Sequence, residues 1–350
     1  MKSEPRHEAF AFLSATAVPT PAMIDAMSEA ELDAWLTMQG ADVSGLDRRI
    51  EARRHAFAAR LAARSARPAA VAPPATPSPA WAEFPFTEMF KRGWFPQFTG
   101  TLAAARAQAE PLVAGFIRQA IPEPVLSLQR QKVRTGGVTN PPALLAWQCR
   151  VLLLARTARR CPYAADALTP VWQAELVRLS RFADGPLRAI DHLALVGLPV
   201  IIEPHLPGTH LDGAALLSAD GPVIGLTLRH NRTDNFWFVL LHELMHARHH
   251  LHAGTREDIF DDLDATGDAL EQEADTLAGE ALVPTAAWTK STVLTEPTPE
   301  AITALAATLE ISPALVAGKL RHETQNYRLA RDLIGAGQVR PLFPHVWFDA

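Results

Sequence analysis

The sequence predicts an α+β fold, mostly helical, with a small antiparallel or mixed sheet beside one buried helix and a helical module at the N-terminus. Three observations carry this. Residues 101–120, 141–158, 168–183 and 185–196 have the apolar spacing of helices. Two short apolar stretches, LPVIIEP at 198–204 and GAALLSADGPVIGLTL at 213–228, are bounded by turn residues as strands are. FWFVLLHELMHARHH at 236–250 then sets six apolar residues directly against a group of histidines, the pattern of a helix buried nearly all round.

Taken in order, residues 20–65 read as a helical hairpin. SEAE at 28–31 is a capping box, Met27 and Leu32 are placed as its staple, and Gly40 suits the stop. Residues 66–80, ARPAAVAPPATPSPA, read as a Pro- and Ala-rich linker with almost no large apolar residue. The predicted organisation is therefore a module at 1–65, a linker at 66–80, a helical region at 81–184 and a larger domain at 185–350. Within 213–228 a turn at Asp220-Gly221 joins two strands, with Pro222 opening the second. Thr233 or Asp234 can cap the buried helix. Residues 300–323 read helix, turn, helix, with further helix to about Leu333. The spacing is that of a helix-turn-helix, but the turn lacks its usual Gly and the segment is not basic, so a helical cap is preferred.

Composition narrows the function. The chain has 350 residues, 48% hydrophobic and 20% charged, with a net charge of −5. That is a globular composition without the basic stripe of a nucleic-acid binder. Two cysteines, Cys149 and Cys161, make no disulfide framework. No signal peptide and no membrane span is legible, so a reducing cytoplasm is the expected compartment.

The chemistry sits at 242–246, HELMH. Residues four apart share a helix face, so His242 and His246 can direct two imidazoles at one ion. Glu243 is turned about 100° away, where a carboxylate can take a proton from a water activated by that ion. Zinc would need a third protein ligand and an open position. EQEADTLAGEALVP at 271–284 is the best source: Glu271 and Asp275 are four apart, so one can ligate while the other holds a histidine in its tautomer. Glu273 points the other way and is expected at the surface, which favours Glu271. His252 is a rival, ten residues after His242, but the Gly that bends HExxHxxGxxH enzymes is His249 here. His249 and His250 are expected to decorate the helix end, where the dipole favours positive charge.

FWFVLLHELMH followed by ExEADxLAxEALVP resembles the ImmA/IrrE family of metallopeptidases, as do LDGAALLSADGPVIGLTLRHNRTDNFWF and ISPALVAGKLRHETQNY. The resemblance covers roughly residues 185–335. It implies a compact, gluzincin-like protease core of thermolysin type, one zinc held by His242, His246 and Glu271, and Glu243 as base. It also implies a protein substrate, a DNA-binding repressor or an antitoxin cut during a stress, phage or mobile-element response. Many relatives carry an N-terminal DNA-binding helix-turn-helix, of which residues 1–80 show no clear counterpart. Tyr327 and His322 are candidate oxyanion donors, and the edge of strand 223–228 could receive an extended substrate. Two other readings stay open: a non-proteolytic, zinc-containing regulator or antitoxin-like protein, and an adaptor built on 20–65.

Overall fold

The computed structural model describes residues 81–121, 140–158, 161–251 and 263–348, all within the unit Pro77–Ala350. The hairpin expected at 20–65, the linker at 66–80 and His252 lie outside them.

Helices α1 (Phe86–Lys91), α2 (Leu102–Arg106), α3 (Ala109–Ala120), α4 (Pro141–Ala158), α5 (Pro170–Arg178) and α6 (Gly185–Ala194) precede the sheet. The single helix expected over 101–120 is thus broken, between Arg106 and Ala109. Strands β1 (Val200–Ile202), β2 (Gly213–Ser218) and β3 (Gly221–Leu226) form a mixed sheet in the order β1-β3-β2. β1 runs parallel to β3, and β2 is antiparallel to it, with Leu216 opposite Val223 and Ser218 opposite Gly221.

Side-chain alternation divides the sheet between two cores. Val200, Ala215, Ile224 and Leu226 face one; Ile201, Leu216 and Val223 face the other. The second core is filled by α3 and α4, including Trp147 and Phe116. Helix α4 lies so close that a Cβ on Gly225 would stand 2.7 Å from the Trp147 ring, so only glycine allows this approach. Trp147 Nε1 also donates to the Glu203 carbonyl at 2.8 Å. A helix from the region expected at 81–184 therefore roofs the sheet of the region expected at 185–350, because β3 is apolar on both faces and needs two covers.

The first core is closed by α7 (Thr233–Met245), a π turn at His246–His250, α8 (Leu263–Leu282), α9 (Thr285–Trp288), α10 (Pro299–Leu309) and α11 (Pro313–Glu323). Thr298 and Ser312 cap α10 and α11. The helix expected to continue to Leu333 is only a 3-10 turn at Arg331–Leu333. The tail has another use. Neither Thr233 nor Asp234 caps α7; their amides donate to the Ile334 carbonyl at 3.1 and 3.3 Å. The Asn231 side chain accepts from the amides of Val339 and Arg340. The last residues thus satisfy the open donors at the start of α7 and hold its entry.

Candidate metal centre

Helix α7 passes between β2 and α8. Phe236, Trp237, Leu240, Leu241 and Leu244 are buried, and His242 and Glu243 are buried among them. The ligand atoms of His242, His246 and Glu271 all lie within 4.8 Å of one another. His242 Nε2 is 3.0 Å from His246 Nε2 and 3.2 Å from Glu271 Oε2; His246 Nε2 is 3.4 Å from Glu271 Oε1.

These donors fit a cation. Asp275 Oδ1 lies 2.9 Å from His242 Nδ1, and a carboxylate only accepts, so Nδ1 donates. In a neutral ring Nε2 is then a bare lone pair, directed at another ring nitrogen and a carboxylate. Glu271 Oε2 is buried and has no hydrogen-bond partner, which is costly for an anionic oxygen unless a positive ion faces it. Two imidazoles and one carboxylate form the ligand set of a zinc site that keeps an open position.

Glu243 lies outside this trio. Burial pushes its carboxyl up, against the lowering effect of His242 and His246, and the amide of Ala215 on β2 donates to it. The helix and strand touch closely here: a Cβ on Gly213 would stand 2.7 Å from Val239 Cγ1 and 3.1 Å from Glu243 Cγ.

Residues 199–321 match the family model described as IrrE N-terminal-like domain, Peptidase_M78. The segment is thus similar to the peptidase domain of the ImmA/IrrE family. No curated protein and no solved structure matches the chain. The IrrE-like domain runs from β1 into α11, so it contains the sheet, the histidine helix and all three clustered donors.

The expected residues divide clearly by position. His242, His246, Glu271 and Asp275 converge. Tyr327 and His322 do not join them. The Tyr327 carbonyl accepts from Arg321, and Arg321 Nη1 lies 3.7 Å from Asp234 at the far end of α7. That end is about 12 Å along the helix from His242. His322, one residue beyond Arg321, is exposed.

Two expectations about this site need correction, and a third gains a contact. β3 has partners on both sides, so the edge strands are β1 and β2, and the one packed against α7 is β2. His249 is exposed at the helix end as expected, but His250 is buried and its Nδ1 is 2.8 Å from His246 Nδ1. Glu273 is half exposed at the surface, as expected, and its Oε2 also lies 3.4 Å from His250 Nε2. Spacing held a signal for His250: it is four residues after His246, on the same face as both ligands.

Proposed function

We propose that the protein is a zinc-dependent, site-specific endopeptidase, and that its substrate is a DNA-binding repressor or antitoxin-type regulator with an exposed flexible segment. One observation supports the peptidase reading most: a buried carboxylate, Glu243, stands beside the three converging donors and touches the open edge of β2.

His242, His246 and Glu271 would hold the ion. Zinc, when bound, polarises a carbonyl and makes a nearby water more acidic. Glu243 takes the proton of that water and returns it to the leaving amine. A carboxyl raised by burial suits both directions of transfer. The substrate strand is held by main-chain groups. The amide of Ile224 donates to Pro199 and the carbonyl of Leu226 accepts from Glu203, so both point toward β1. Gly213, Ala215 and Leu217 on β2 therefore direct their main-chain groups away from β3; the Ala215 amide is taken by Glu243, which leaves the Ala215 carbonyl and the groups of Gly213 and Leu217 for a substrate. An extended peptide can pair there without much side-chain readout, and specificity comes from contacts further out.

No helix among the described residues is long and apolar enough to cross a membrane. In the cytoplasmic setting expected for this chain, a protease must be selective. Co-expression with repressor-like proteins, wild type against Glu243→Gln, tests the reading. A cleavage product that forms only with wild type, while casein stays largely intact, is the expected result. Rapid zinc-dependent digestion of casein into many fragments would refute the selectivity.

A further inference from the structure

We infer that His250 and Glu273 form an outer relay that orients His246, so that the metal cluster is held by carboxylates from both of its sides. The inference rests on the zinc-site reading above and extends it to residues outside the HExxH motif.

The local backbone is the first observation. After Met245 the α-helix widens into a π turn over His246–His250, closed by the Leu251 amide donating to the His246 carbonyl at 3.1 Å. Such turns are rare, because their hydrogen bonding is less favourable, and they occur frequently at functional sites. This one lays the His250 ring against that of His246, with centroids 4.9 Å apart at 62°. His250 is 8% exposed although it is the last residue of the turn. A buried imidazole is stable only when its nitrogens find partners.

Both nitrogens of His250 have one. Nε2 lies 3.4 Å from Glu273 Oε2, and Nδ1 lies 2.8 Å from His246 Nδ1. The proton positions follow from chemistry. A carboxylate only accepts, so His250 Nε2 donates to Glu273. A neutral imidazole carries one N–H, so His250 Nδ1 is bare and accepts. His246 Nδ1 must then donate, which leaves His246 Nε2 as a lone pair, 3.4 Å from Glu271 Oε1. Asp275 does the same for His242 in one step at 2.9 Å. Helix α8 thus supplies a ligand, Glu271, and both anchors, Asp275 and Glu273. The π turn gives the second anchor its reach, because Glu273 touches His246 only through an intervening ring. Outer partners of this kind change metal affinity by about 10–100-fold.

The test uses zinc-free protein labelled with 15N-histidine, in which long-range proton–nitrogen correlations report the tautomer of each ring, together with zinc affinity by chelator competition. His246 should carry its proton on Nδ1 in wild type. His250→Phe keeps the ring but offers no acceptor: the His246 tautomer should become mixed and zinc affinity should fall about 10–100-fold. His250→Gln, whose carbonyl oxygen can accept from His246, should stay within a few-fold of wild type. Glu273→Leu, at a half-exposed position that does not threaten folding, should weaken zinc by a smaller factor, and it carries the test if His250→Phe does not fold. Wild-type protein that takes up no zinc would remove the metal reading itself. Wild-type zinc binding with unchanged His246 tautomer and unchanged affinity in the variants would overturn the relay alone.

Discussion

Asp275 Oδ1 accepts a hydrogen bond from His242 Nδ1 at 2.9 Å, across two helices and 33 positions of sequence. The carboxylate both selects the tautomer of His242 and places partial negative charge behind it, which makes Nε2 a better ligand. Asp275→Asn keeps an acceptor but loses the charge. Zinc affinity, measured by chelator competition, should drop by about 10–100-fold while the folded circular dichroism spectrum is retained. Unchanged affinity would remove this role from Asp275.

Gly213 lets β2 lie against α7. A methyl group there would meet Val239 Cγ1 at 2.7 Å, too close for any real contact, so strand or helix must shift. Gly213→Ala should lower stability by ~1–3 kcal/mol, the usual cost of overpacking. Because Ala215 donates to Glu243 two residues on, the same shift should reduce peptide cleavage more than zinc binding. Denaturant unfolding and metal titration on one sample separate the two effects, and a variant with wild-type stability would show that the contact relaxes freely.

Glu203 gives a pH-dependent prediction away from the metal cluster. It is 8% exposed. Burial raises its pKa, and Arg150 and Arg92, at 3.5 and 3.7 Å, only partly offset that. A carboxyl raised on folding contributes stability that is fully present below its unfolded value of about 4.3 and is lost as pH rises through the folded value. Glu203→Gln cannot ionise and escapes that loss. The stability of the variant relative to wild type should therefore increase as pH climbs from about 4 toward neutrality. A difference that is flat across that range, measured by urea unfolding at each pH, would contradict the assignment.

The N-terminal module should be separable from the metal site. The 66–80 segment reads as a linker, and all the residues of the candidate metal centre lie within the unit Pro77–Ala350. A chain beginning at residue 81 should be soluble and bind zinc as the full chain does. Insolubility, or loss of zinc, would show that the first 80 residues are part of the fold.

Local periodicity made the centre of the site legible. His242 and His246, and likewise Glu271 and Asp275, are four apart on helices, and that spacing alone sets each pair on one face. The apolar run from Phe236 to Leu241 foretold a buried helix, and Phe236, Trp237, Leu240 and Leu241 are indeed in the core. Cys149, beside Trp147 in an apolar helix, was readable as a core thiol, and burial pushes its pKa up to about 12.

The sequence by itself determined which residues could hold an ion and which elements bear them, because those depend on side-chain type and on repeats of two or about four residues. Only the tertiary structure decided the rest. Strand order is non-local, so nothing near 223–228 discloses that β3 is central and that β1 and β2 are the edges. The donors at the start of α7 are met by Ile334, a hundred positions further along the chain, rather than by Thr233 or Asp234, because the folded tail reaches them. His250 turns inward because the helix widens into a π turn where the ring can meet His246 and Glu273, and that widening is set by packing, not by helix propensity.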